Sequence, residues 1–185
     1  MQPLFLHTNV SLDGFICDTA GHIDWHFSDE EFQQYLDGLL ESIDGMVFGR
    51  VAYEQLAAYW PTAGDEVSIV QRSRMRELPK YVLSRTLTAA DWYNTHLLGE
   101  EPLTEIRRLT MQPGRGIAVF AGGSAATSLL EAELLAEVRL VLNPILIGGG
   151  TRLFAGSYPI STWRLTSNRP FASGATVLTY ERRTR

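Results

Sequence analysis

The chain has a single cysteine, Cys17, in 185 residues. No internal disulfide can form, and a reducing cytoplasm is the compartment that fits. Basic residues are outnumbered, 16 Lys and Arg against 21 Asp and Glu, for a formal net charge of −5. Such a balance provides no basic footprint of the type that nucleic-acid binding uses, so neither DNA nor RNA is an expected partner. Long hydrophobic runs are missing too. "VRLVLNPILIGGG" is broken by Arg139, Asn143 and Pro144, well short of the roughly 20 apolar residues that cross a bilayer. The opening "MQPLFLHTNV" lacks the positive segment and apolar core of a signal peptide. The expectation is a soluble, cytoplasmic protein with no membrane partner.

Familiar phosphate and nucleophile motifs are also absent. There is no G-x-G-x-x-G and no G-x-x-x-x-G-K-[ST]. "GGSAA" misses the G-x-S-x-G nucleophile elbow because Ala126 stands where its last glycine belongs. His96 is the last histidine, so a triad in the order Ser, Asp, His cannot be built.

What is present is a chain that is 45% hydrophobic, enough for one core and one domain spanning residues 1–185. "LFLHTNV" reads as a strand entering a loop that continues to about Phe27. "SDEEFQQYLDGLLESI" reads as a helix opened by a capping box of Ser28 and Glu31. "GMVFG", "KYVLS" and "GIAVFAG" read as strands, with the helical patterns "RVAYEQLAAYW", "EVSIVQRSRMREL", "EPLTEIRRLTM" and "SAATSLLEAELL" around them. This alternation predicts an α/β domain with a mostly parallel sheet flanked by helices. "VRLVLNPILI", "WRLTSN" and "ATVLTYERR" have no long helix between them and predict antiparallel strands at one edge.

Three strand ends are suited to an anion. Gly49 and Arg50 stand where "GMVFG" enters a helix, Ser84 and Arg85 end "KYVLS", and Gly122, Gly123, Ser124 and Ala125 carry "GIAVFAG" into a helix. A helix N-terminus offers free N–H groups and partial positive charge, glycine allows close approach, and arginine grips phosphate with two donors. Each feature alone has a structural alternative: a tight turn for the glycines, a solvated surface for the arginines.

"SLDGFI", "GRVAYE", "VLSRT", "FAGGSAATSLL" and "PILIGGGTRLF", in that order and spacing, resemble the dihydrofolate-reductase-like superfamily. The similar branch is the reductase domain of the bifunctional riboflavin-biosynthesis deaminase-reductase, a 5-amino-6-(5-phosphoribosylamino)uracil reductase, with its stand-alone bacterial relatives. The resemblance covers nearly the whole chain. It implies a mixed, mostly parallel sheet of about eight strands and NADPH lying across the strand ends. It places Gly49 and Arg50 at the cofactor phosphates, Ser84 and Arg85 at the adenosine ribose and 2′-phosphate, and Gly122 and Gly123 under the pyrophosphate, often through a cis peptide, with Ser124 and Ala125 opening the helix. Ala52 departs from the usual Thr and removes one hydroxyl donor. No Lys/Arg constellation for the ribityl phosphate of the riboflavin-pathway substrate is evident.

The resemblance further implies an NADPH-dependent reduction of a small heterocyclic or carbonyl substrate. Asp13 and Asp24 are the candidate proton donors, Trp25 and Gly149 the candidate substrate contacts, and a homodimer the expected assembly. Asp13 can equally cap its turn with Gly14, Trp25 can close the core, and Gly149 can belong to a flexible crossover. A metal held by His22, Asp24 and His26 is a weaker alternative without a further ligand. The second function class is a nucleotide-binding or regulatory module that keeps the cleft without turnover.

Overall fold

The strand β1 (Leu4–Ser11) is buried along most of its length, with Leu4 and Leu6 on one face and Phe5, His7 and Asn9 on the other. A strand buried on both faces belongs in the middle of a parallel sheet. In the computed structural model, which describes residues 1–183, β1 pairs in parallel with β6 (Ile117–Phe120) and β7 (Glu137–Asn143). β3 (Gly45–Gly49), buried at every position, lies between β6 and β4 (Lys80–Leu83). β5 (Thr95–Leu97) forms one edge. β10 (Thr176–Arg182) runs antiparallel to β7, and β9 (Trp163–Pro170) antiparallel to β10, at the other. The order is β5-β4-β3-β6-β1-β7-β10-β9, a dihydrofolate-reductase-like mixed sheet of eight strands.

Helices cover both faces. α1 (Glu30–Glu41), α2 (Arg50–Tyr59) and α3 (Ile69–Glu77) pack Leu39, Leu40, Tyr53 and Met75 against Phe5, Met46, Phe48 and Ala118. α4 (Pro102–Met111) and α5 (Gly123–Glu131) bring Ile106 and Leu129 against Leu4, Leu6, Val47, Ile117 and Val119. Among the described residues, no helix is long and apolar enough to cross a membrane.

Two local expectations are corrected. Asp29, one residue beyond Ser28, caps α1. Its carboxylate accepts from Phe32 N–H at 2.8 Å and from Ser173 N–H at 2.6 Å, so one side chain both caps the helix and ties down the β9–β10 turn, which the short Ser28 hydroxyl does not. The segment after β1 is not a continuous loop. β2 (Phe15–Cys17) pairs with β8 (Thr151–Arg152) in a second, two-stranded sheet, a contact between segments too far apart for local patterning to reveal.

Lys80 is fully buried at the start of β4, where its ammonium donates to the carbonyls of Arg76, Leu78 and Tyr93 at 2.8–3.0 Å and lies over the Trp92 ring. Burial pushes its pKa down to about 8. The clamp fixes the end of α3 to β4, and so the strand that delivers Ser84 and Arg85.

Connections leaving β3 run outward through β4 and β5, whereas those leaving β6 cross β1 to β7. Diverging connections open a crevice at the carboxyl ends of neighbouring strands, the usual ligand position in such sheets. Gly49 and Ala121 stand at that crevice.

Candidate cofactor and active site

A cavity of about 680 Å³ opens over the ends of β4, β3, β6 and β1, within the roughly 300–1,000 Å³ usual for small-molecule and cofactor sites. Gly49, Arg50, Ser84, Arg85, Gly122, Gly123, Ser124 and Ala125 all line it. Among the described residues, no aspartate or glutamate does.

Gly49 caps α2 without a side chain, and a methyl group there would stand 3.1 Å from Ala125 Cβ. The two helix N-termini therefore meet through a glycine and an alanine. An α-helix leaves its first amides without intrahelical acceptors, so Val51 and Ala52 of α2, and Ser124 and Ala125 of α5, present N–H groups beside one cavity. Together they make its floor attractive to anions.

The glycine pair has separate reasons at its two positions. A side chain on Gly122 would run into Ile16 of β2. Gly123 has φ +55°, a left-handed conformation that favours glycine, and its N–H donates to the Leu153 carbonyl at 2.9 Å. That amide is thus already used within the protein. The Gly122–Gly123 bond is trans, correcting the cis peptide implied by the resemblance. Thr127 secures the turn by donating to the Gly123 carbonyl at 2.8 Å and accepting from Ala155 N–H at 2.9 Å.

Arg50 lies along α2 against Glu54, with Nη1 2.9 Å from Oε2 and both side chains nearly half exposed. An exposed pair of this kind is worth at most about 1 kcal/mol, so a phosphate can displace it. Arg85 has no side-chain hydrogen bond or ion pair among the described residues. Ser84 Oγ accepts from the Thr86 and Leu87 amides at 3.2 and 2.9 Å, leaving its hydroxyl proton free to donate.

The residues assigned to catalysis and substrate are placed differently. Asp13 accepts from Ser11 Oγ at 2.6 Å and from the amides of Ile147 and Gly148 at 3.3 and 2.8 Å. The Ser11 hydroxyl, and then those amides, hold its carboxyl below the usual value. It clasps the turn after β1 to the loop after β7. Asp24 is exposed. Trp25 donates to the His22 carbonyl at 3.1 Å and packs edge-on against His26. Gly149 faces Thr19, and a Cβ there would be 3.3 Å from its Cγ2. Asp13, Asp24, Trp25 and Gly149 are all missing from the cavity wall; the turn, the loop and the β2–β8 sheet hold them elsewhere. His22 lies 3.3 Å from Asp18, and among the described residues no group of three His, Cys, Asp or Glu side chains, His22, Asp24 and His26 included, is placed to hold a metal.

Sequence reasoning overlooked the β1 side of the wall: His7, Thr8 and Asn9, with Phe120 beside them and Ile16, Cys17 and Thr151 above. His7 is 3% exposed, stacks on Tyr35 at 5.8 Å and meets Phe120 edge-on at 5.7 Å. Burial, reinforced by Arg139, pushes its pKa down to about 3. Its Nε2 has no hydrogen-bond partner. A titratable residue inside the apolar strand "LFLHTNV" was the available signal.

Known proteins resemble the chain at each level. The Bacillus subtilis protein YyaP is 28% identical over 180 residues, covering 97% of this chain and 94% of its own. A Shewanella protein named for riboflavin biosynthesis superimposes with a TM-score of 0.79 over the whole of both chains at 23% identity. A dihydrofolate reductase from Enterococcus faecalis, solved with NADP(H), matches with a TM-score of 0.65 at 16% identity, over 98% of this chain and 97% of its own. The sequence profile of the RibD C-terminal domain matches residues 3–177. The chain belongs to the RibD C-terminal domain family.

Proposed function

We propose that the protein is an NADPH-dependent reductase of a small heterocyclic or carbonyl compound. The observation that carries this reading is the cavity itself: two helix N-termini and two arginines converge on it, and no carboxylate lines it. Gly49 against Ala125 and Gly122 against Ile16 tolerate no side-chain bulk, which keeps the two helix starts and β2 close around the cavity. NADPH, when bound, supplies a hydride equivalent. The Ser124 and Ala125 amides are suited to the pyrophosphate, and Ser84 with Arg85 to the ribose and 2′-phosphate. Ile16, Ile23 and Phe120 give the cavity apolar lining. First-turn amides of α2 take over the donor role that Ala52 lacks.

The test is loss of NADPH absorbance across a panel of pterins, pyrimidines and quinones. Turnover of at least one is expected. Tight NADPH binding without turnover would favour the nucleotide-binding module, a reading supported by the absence of a carboxylate from the wall.

A second copy of the chain is the proposed partner. β9 leaves a long sheet edge open, and on it Leu165 is 49% exposed, paired with Tyr180 of β10. An open edge of that length is a template for association unless it is covered.

A further inference from the structure

On the β1 side of the cavity, one polar side chain has its orientation fixed from behind. Asn143, at the end of β7, is fully buried. Its Oδ1 accepts from the Phe27 amide at 2.7 Å, and its Nδ2 donates to the Val141 carbonyl at 2.9 Å and to Asn9 Oδ1 at 3.0 Å. A backbone N–H only donates and a backbone carbonyl only accepts, so Phe27 and Val141 leave the Asn143 amide a single orientation. Both of its protons are then used, and the atom that Asn9 turns towards it has to be the oxygen.

Asn9 is thereby held with its own Nδ2 directed away from Asn143. That nitrogen makes no hydrogen bond among the described residues, and it is not one of the buried side-chain atoms that lack a partner, so it is open to solvent. Asn9 is half-buried and lines the cavity. It stands on β1, two strands from β3 and three from β4, away from the strand ends that carry Arg50 and Arg85. The protein thus presents there an amide donor, already oriented, whose acceptor is still to come. A donor fixed before binding loses little side-chain freedom when it gains a partner.

We propose that Asn9 determines substrate specificity: its Nδ2 donates to a carbonyl oxygen of the hydride acceptor, which is a ring carrying that carbonyl on the edge turned towards β1. The proposal rests on the reductase reading and specifies its substrate class, a cyclic amide or ketone in preference to the amino-substituted ring of the same shape. An amino group at this position would set a donor against a donor and leave both unpaired, a mismatch that discriminates more strongly than a small change in apolar contact. Asn143 is a positioning residue that acts through Asn9. Its bond to Phe27 ties the segment after β2 to the same orientation.

The experiment uses the full chain saturated with NADP⁺ and two fluorescent pteridines of matching shape: pterin, with a carbonyl at ring position 4, and 2,4-diaminopteridine, with an amino group there. The unaltered protein is expected to bind pterin at least tenfold more tightly. Asn9→Asp keeps an oxygen for Asn143 and puts a second one where Nδ2 stood, so it is expected to reverse the order and bind 2,4-diaminopteridine the more tightly. Asn9→Leu removes the donor and is expected to weaken pterin at least tenfold; because it also strips Asn143 of a partner, the reversal in Asn9→Asp is the deciding readout, one that loss of stability alone does not produce. Equal binding or a preference for 2,4-diaminopteridine in the unaltered protein, an unreversed order in Asn9→Asp, or no binding of either probe with NADP⁺ in place would each overturn the proposal. Failure to bind NADP⁺ at all is a separate result, and it would sink the reductase reading together with the proposal built on it.

Discussion

Gly49 and Ala125 bring the first turns of α2 and α5 together so closely that a methyl group on the glycine would stand 3.1 Å from the alanine Cβ. Gly49 has φ −75°, so the backbone permits a side chain there and the constraint is spatial. Gly49→Val is expected to push the two helix starts apart and weaken NADPH binding at least tenfold. Gly38→Ala, on α1 with nothing within 4 Å of the added carbon, leaves affinity unchanged and stabilises the helix by about 0.5–1 kcal/mol. Calorimetric titration of both variants checks the contrast.

Cofactor preference follows from the arginines. A charge-assisted hydrogen bond contributes about 1.5–3 kcal/mol, or roughly tenfold or more in affinity. Arg85→Ala is expected to reduce the preference for NADPH over NADH by about that factor, read as the ratio of dissociation constants. Glu54→Gln, which frees Arg50 from an exposed pair, should change stability by less than about 1 kcal/mol.

His7 makes stability sensitive to acid. Its folded pKa, about 3, lies below the ordinary 6.5, so between those values the unfolded chain binds a proton that the native one refuses. Stability therefore falls as pH drops from 6.5 towards 3, with a slope of about 1.4 kcal/mol per pH unit from this residue where the separation is complete. His26, lowered by burial to about 4, adds to the effect over a narrower range. Urea unfolding at a series of pH values should show a shallower acid limb in His7→Leu than in the unaltered protein; identical limbs would refute the assignment.

Gly123 is constrained by conformation more than by space. A left-handed φ in a residue with a side chain costs about 1–2 kcal/mol, and the nearest atom to a new Cβ, Thr151 Cγ2, is at an ordinary 3.5 Å. Gly123→Ala is expected to lose about that much stability in denaturant unfolding. Gly123→Val should in addition lose most NADPH affinity, because its branches reach toward the cavity mouth beside Ser124.

The parallel sheet and the three strand-end motifs were legible because alternating apolar runs and local Gly, Arg and Ser signals encode them within short windows. The eight residues singled out at those strand ends all line the cavity. The β1 side of the cavity could not be read that way, because it is assembled from distant segments. Asp13 looked available until the loop after β7 supplied amides to its carboxylate, and His7 gained its meaning only when Tyr35 of α1 and Phe120 of β6 closed around it. Nothing in "KYVLS" marks Lys80 as buried, and only the carbonyls of Arg76, Leu78 and Tyr93 explain its burial.

The homodimer has its own check. Light scattering at micromolar concentration should give twice the chain mass, and Leu165→Glu on β9 should return it to one.

The central claim is that NADPH lies over the ends of β3, β4 and β6 with its pyrophosphate at the start of α5. An amide ¹H–¹⁵N titration of the labelled protein with NADPH tests it residue by residue. The account predicts saturable shifts concentrated at residues 49–52, 84–86 and 122–125, with Ser124 and Ala125 among the largest and α4 unaffected. Binding that leaves those amides unmoved, or no binding at all, would contradict it.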